Sequence, residues 1–176
     1  MKKDTAELTN KKKLISTIDI SGTINTREYV SILRQLVEEG HQVGMTIVGT
    51  SMEPFLKNQR DEIFFHKPKR EVRTGDMVFY QRCDGKYVMH RVCKKKRDGY
   101  FMAGDHQKTL EGPITENQIF AVITQVRRNG KLLNENSFVW QFYAVVWRKL
   151  RPVRLILLRI KGVFRRIRRI KVKHHD

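Results

Sequence analysis

Hydrophobic positions recur at helical spacing over one early stretch and at strand spacing over most of the chain beyond it. Tyr29, Val30, Leu33, Leu36 and Val37 fall on one face of a helix. Thr26 is its expected N-cap and Gly40 its expected stop. From Gln42 onward the period shortens, and strands are expected near 43–48, 62–66, 76–82, 87–94, 100–104 and 118–126. These runs are short and rich in β-branched and aromatic residues, and Asp84-Gly85, Asp98-Gly99 and Asn129-Gly130 are hairpin dipeptides. Strands with no helix between them pair antiparallel, so the expected fold is mostly β (α+β), a sheet or small barrel-like core with one N-terminal helix. Leu14 to Ile24 alternates weakly, as a short strand or extended arm would, and residues 1–13 are polar and expected to be disordered.

Helical spacing returns at Ser137. Pro152 divides this stretch into 138–150 and 153–170. In the second part Val153, Ile156, Leu157, Ile160, Phe164 and Ile167 form one stripe, and Arg151, Arg154, Lys161, Arg165 and Arg168 another. Charge sharpens this picture. Residues 137–176 hold twelve Lys/Arg against Asp176 alone, a local charge of +11, which leaves +7 for the rest of a chain whose total is +18. An apolar face opposite a basic one, with Trp140 and Trp147 nearby, describes a helix lying on an anionic membrane surface. The competing reading is a helix docked on the protein with its Arg heads reaching solvent. The division expected is therefore a disordered start (1–13), one folded domain (14–136) and a basic amphipathic helical arm (137–176). No run reaches the ~18 apolar residues a spanning helix needs, and the polar N-terminus reads as neither a signal peptide nor an anchor. Lys/Arg excess beside an apolar segment favours the cytoplasmic face, as a peripheral protein.

The two cysteines do not make a disulfide framework. If Asp84-Gly85 is a two-residue turn, Cys83 faces Lys86 and Cys93 faces Asp76, and the sulfurs stand about 20 Å apart along the ribbon. Both are expected as free thiols. No metal constellation, phosphate loop or dinucleotide fingerprint is visible, and no cofactor is expected.

The stretch with chemistry in it is Val48-Gly49-Thr50-Ser51-Met52-Glu53-Pro54-Phe55-Leu56. Gly49 allows a sharp bend and Pro54 stiffens the chain, so the Ser51 hydroxyl sits on a rigid turn at a strand end. Such a turn can aim a nucleophile and leave N–H groups free for an oxyanion. By itself it is also an ordinary turn composition. Three further blocks lie downstream: Gly75-Asp76-Met77-Val78-Phe79-Tyr80, Met89-His90-Arg91-Val92 and Phe101-Met102-Ala103-Gly104-Asp105. In this order and spacing they resemble the signal peptidase I superfamily of serine endopeptidases, a clan that includes LexA-type self-cleaving repressors. The resemblance covers roughly residues 43 to 126.

That resemblance implies Ser51 as nucleophile. The base position reads His90, followed by Arg91-Val92, which is similar to the histidine branch and not to the lysine branch. Arg91 itself cannot serve as a base at neutral pH. His90 shares a strand face with Val88 and Val92, and a core histidine satisfied by its neighbours would look the same. For the acid that orients the imidazole, Asp105 matches the family's Gly-Asp, and Glu111 lies near the acid of the histidine branch; Asp105 is the first choice and Glu111 the second. His106 is a lesser rival to His90. The oxyanion donor is expected to be the Ser51 N–H, with Thr50 nearby, since Gly49 supplies no side-chain hydroxyl. Met52 and Phe55 are expected in the substrate groove or core, and Asp61 and Asp76 as turn residues. The resemblance further implies cleavage of a precursor peptide after a small residue, the peptide bound by strand addition. A LexA-type DNA-binding regulator is the alternative. It is disfavoured by His90 in place of lysine, by Pro54, and by an N-terminal region with one convincing helix where a helix-turn-helix needs two. A non-catalytic membrane-surface protein keeping the fold is the third possibility, and no nucleic-acid partner is expected.

Overall fold

The computed structural model describes residues 26–150. The expected extended segment at 14–24 and the stripe at 153–170 lie outside the described residues. Helix α1 (Thr26–Glu38) leads into eight strands: β1 (Val43–Thr46), β2 (Glu62–His66), β3 (Met77–Gln81), β4 (Tyr87–Lys96), β5 (Gly99–Ala103), β6 (Glu111–Ile114), β7 (Ile119–Arg128) and β8 (Lys131–Asn134). A short helix α2 (Phe138–Gln141) then widens into a π turn over Phe142–Trp147.

The helix closes as the sequence implies. Gly40 takes φ +90°, its N–H reaches the Val37 carbonyl and the His41 N–H reaches Leu36, the paired bonds of a Schellman ending. Val30, Leu33 and Val37 are buried, with Tyr29 and Leu36 partly buried beside them. Each fully buried side chain contributes about 1.5–3 kcal/mol of transfer free energy.

All strand pairs are antiparallel, in the order β1-β2-β7-β3-β4-β5-β6, with β8 on β7. The sheet is open, with β1 and β6 at its ends, where the sequence pattern left a closed barrel possible. Apolar side chains are buried on both faces. One cluster joins α1, Met77, Phe79, Phe120, Ile123 and the residues after Ser51. The other joins Val78, Tyr80, Val92, Tyr100, Met102 and Val122. The alternation of Met77 and Phe79 with Val78 and Tyr80 between clusters is the period-two signature of a strand buried on both sides.

The Asn129-Gly130 hairpin matches the sequence closely, with Arg128 opposite Lys131 and both turn residues at positive φ. The Asp84-Gly85 hairpin does not. Arg82 N–H bonds to the Lys86 carbonyl and Gln81 pairs with Tyr87, so the loop is the three residues 83–85, not two. Gly85 closes it at φ 79°. The register between β3 and β4 is therefore one residue away from that expected. Val78 stands opposite His90 and Met77 opposite Arg91. Cys83 is exposed and Cys93 buried, and neither is in a disulfide.

The boundary expected at 136/137 falls inside packed structure. Trp140, Ala144 and Trp147 are buried. Trp140 and Tyr143 pack against Phe55, and the Ala144 carbonyl lies so close to Gly75 that a Cβ there would meet it at 3.3 Å. The start of the C-terminal stretch thus belongs to the folded body, whereas Phe138, at 84% exposure, projects from it. Among the described residues no helix is long and apolar enough to cross a membrane.

Candidate active site

The loop after β1 is closed at its neck by two backbone bonds, Ile47 N–H to the Asp61 carbonyl and Gln59 N–H to the Ile47 carbonyl. Asp61, fully buried, accepts from the backbone of Lys57 and Asn129 and from the Arg60 guanidinium. Burial opposes its ionisation, but these donors outweigh burial and its pKa falls below the ordinary value. The expected turn residue is thus a buried clasp for the loop. At the other end Gly49 adopts φ +100° and its N–H bonds to Asn58 Oδ1. Nothing in the sequence singles out Asn58 for this task.

Between these clasps Glu53 N–H bonds back to the Thr50 carbonyl, which puts Ser51 on a tight turn. Glu53-Pro54 is a cis peptide. Met52, Phe55 and Leu56 are buried in the core and anchor the turn from below. Ser51 is half-buried, and its carbonyl accepts the His106 N–H at 2.8 Å. Among the described residues neither its N–H nor its Oγ is joined in a hydrogen bond. A backbone donor and a hydroxyl are therefore left at one exposed turn, while Thr50, also exposed, spends its carbonyl inside it.

His90, on β4, is 2% exposed and faces Val78 and the second apolar cluster, as the shared face with Val88 and Val92 implies. Its Nδ1 lies 3.0 Å from the Tyr80 hydroxyl and 3.8 Å from Glu111 Oε2. Tyr80 is the diagonal neighbour of His90 across the ladder, because Val78 is directly opposite. Glu111, at the start of β6, receives both arms of the Arg82 guanidinium at 2.5 Å and also interacts with the Tyr80 hydroxyl. Burial dominates the His90 titration and holds its pKa at about 4; the Glu111 charge pulls it up and the Arg82 charge pushes it further down. At Glu111 burial opposes ionisation, yet Arg82 and Tyr80 prevail and its pKa is lowered. At neutral pH the pair is thus a neutral imidazole beside a carboxylate.

Asp105 stands elsewhere. Both its oxygens accept from Arg91, at 3.0 and 2.9 Å, and both residues are buried. Arg91 also donates to the Gly75 carbonyl, and Trp147 Nε1 donates to the Asp105 carbonyl. The first-choice acid is therefore committed to a structural ion pair on the opposite face of β4 from His90, and Glu111 is the carboxylate beside the ring. The reason is parity. Arg91 pairs with Ala103 on β5, so Asp105, two residues on, shares the face of Arg91.

Ser51 packs against the residue that follows β5. The β4–β5 pairing ends at Arg91–Ala103, with Gly104 the next residue. A Cβ on Gly104 would meet the Ser51 carbonyl at 2.4 Å and the Ser51 Cβ at 2.9 Å. Only a glycine admits the serine so close. His106 is exposed in the loop beyond, where its backbone braces Ser51. Tyr80 and Arg82 carry no signature of their own in the sequence. Their alternation with Val78 is visible there, but the shifted hairpin hides that this face reaches His90. Among the described residues no group of His, Cys, Asp and Glu is placed to hold a metal ion.

The described residues thus combine an open antiparallel sheet, a serine on a tight turn after β1 and a buried neutral histidine on β4. Residues 16–127 match the Peptidase S24-like family, and the chain belongs to that family. Neither the curated proteins nor the solved structures contain a match.

Proposed function

We propose that this protein is a serine endopeptidase whose nucleophile is Ser51, whose base is His90 and whose orienting acid is Glu111. Ser51 Oγ attacks the peptide carbonyl as His90 Nε2 takes its proton. The proton then passes to the departing amine, and water, activated by the same ring, releases the acyl group from Ser51. The developing oxyanion is met by the Ser51 N–H, which is unspent among the described residues. The observation that carries this reading is Gly104, which lets Ser51 close on the end of β5, the strand paired with the one that bears His90. The substrate is a precursor peptide in extended form, and the basic stretch beyond residue 150 holds the enzyme peripherally on an anionic membrane, on the cytoplasmic side. The composition of residues 137–176 supports that last point.

The test is covalent labelling with a fluorophosphonate, which joins phosphorus to the serine oxygen as fluoride leaves. Wild type should be labelled at Ser51, His90→Gln at least about 100-fold more slowly, and Ser51→Ala not at all. Labelling that persists in Ser51→Ala would refute the assignment.

Membership of the Peptidase S24-like family favours one second reading, a self-cleaving regulator of LexA type. Intact-mass analysis of the purified chain separates the two. Self-cleavage produces two fragments in wild type and none in Ser51→Ala, whereas an enzyme acting in trans stays whole.

A further inference from the structure

We infer that Tyr80 is a positioning residue that bridges His90 to Glu111 and fixes the imidazole as its Nδ1–H tautomer, leaving Nε2 bare on the side of Ser51. The inference deepens the peptidase reading and rests on it for its catalytic meaning. The Tyr80 hydroxyl lies 3.0 Å from Nδ1 and also interacts with Glu111. A hydroxyl has one proton to give. If Tyr80 gave it to Nδ1, a nitrogen lone pair would stand 3.8 Å from Glu111 Oε2, and the carboxylate would lose its hydroxyl donor. If Tyr80 gives it to Glu111, the stronger acceptor, its oxygen is free to accept from Nδ1–H, and each dipole then points toward the carboxylate. Glu111 is itself held by both arms of Arg82. The chain therefore runs from Nδ1–H to the Tyr80 oxygen, from Tyr80 O–H to Glu111, and ends on a fixed charge. Two features make the bridge rigid. Tyr80 is fully buried on β3, and its ring sits diagonally across the ladder from His90. A carboxylate 3.8 Å away holds the ring weakly by itself, and the interposed hydroxyl supplies the missing short contact.

The tautomer is read directly by long-range proton–nitrogen NMR on the ¹⁵N-histidine-labelled full chain, with His90 assigned by its loss in His90→Gln. Wild type should show Nδ1 protonated and Nε2 bare. Tyr80→Phe, which keeps the ring and removes the hydroxyl, should give a mixed or reversed tautomer and slow fluorophosphonate labelling of Ser51 roughly 10- to 100-fold, part of what a positioned base supplies. Glu111→Gln, at the half-exposed end of the bridge, should move both readouts the same way if Tyr80→Phe proves too unstable to study. A wild-type ring protonated at Nε2 would overturn the inference. So would a Tyr80→Phe protein whose tautomer and labelling rate match wild type. A tautomer that responds as stated in a protein the probe never labels would support the bridge while refuting the peptidase reading, so the two failures are distinguishable.

Discussion

At the scale of single residues, burial holds the His90 ring neutral down to about pH 4, against an unfolded value near 6.5. As pH falls through 6.5 the unfolded imidazole takes a proton that the folded ring refuses, so stability drops until about pH 4 and no further from this group. The loss is on the order of 3 kcal/mol, and urea denaturation of wild type and His90→Gln at pH 6.5 and 4.5 should show a steeper fall in wild type. The base form is already abundant at pH 5, so labelling of Ser51 should be nearly flat from pH 5.5 to 7.5. A midpoint near 6.5 would place the ring in water instead. Gly104 makes a separate prediction. Its alanine variant forces Cβ onto the backbone of Ser51, which cannot swing aside as a side-chain tip would. Gly104→Ala should lose about 1–3 kcal/mol by overpacking and nearly all labelling, as read by urea denaturation and the fluorophosphonate. The turn that carries Ser51 and the strand that carries His90 are legible in the sequence because a rigid turn and an alternating run each have a local signature. Tyr80 and Arg82 are not, because which residues share their face depends on whether a hairpin loop holds two residues or three.

At the scale of elements, the Arg91–Asp105 pair ties β4 to the loop after β5, and Trp147 ties the C-terminal helix to the same loop. Breaking a buried pair leaves a charge without its partner, so Asp105→Asn should cost about 3–5 kcal/mol in urea denaturation. The double variant Arg91→Met/Asp105→Leu should recover much of this, which an acid needed for chemistry would not permit in the labelling rate. Trp147→Phe keeps the ring and loses one bond, and should cost about 1 kcal/mol. Strands β2, β3, β4, β5 and β7 are legible because apolar alternation marks them whichever partner they choose. Strand β6 is not. Glu111-Gly112-Pro113-Ile114 has the composition of a turn, and it pairs as a strand only because it lies at the sheet's edge, where a missing proline N–H costs no ladder bond. The carboxylate beside His90 sits on that strand, so the family resemblance ranks Asp105 above Glu111 while the topology sets Glu111 by the ring.

At the scale of the whole molecule, packed structure continues past the boundary expected at 136/137, through Trp140, Ala144 and Trp147. Periodicity alone could not show this, because apolar helical spacing fits a helix docked on the protein as well as one lying on lipid. Vesicle sedimentation should therefore compare the full chain with one ending at Leu150, which keeps every residue described as buried. The full chain should pellet with anionic vesicles and be released by high salt, and the shortened one should stay in solution. Equal pelleting would remove the membrane from the account. The Trp147 bond to Asp105 has a consequence for reach. His106, next along, holds the Ser51 carbonyl, so the serine and the root of the basic stretch share one short rigid strut. From Trp147 to Leu150 is three residues, at most about 10 Å of chain. If the proposed peptidase is held on lipid through the residues that follow Leu150, so short a tether makes it a ruler: it would cut at one height above the lipid, and a peptide bond presented higher or deeper would be out of register however well its sequence fits.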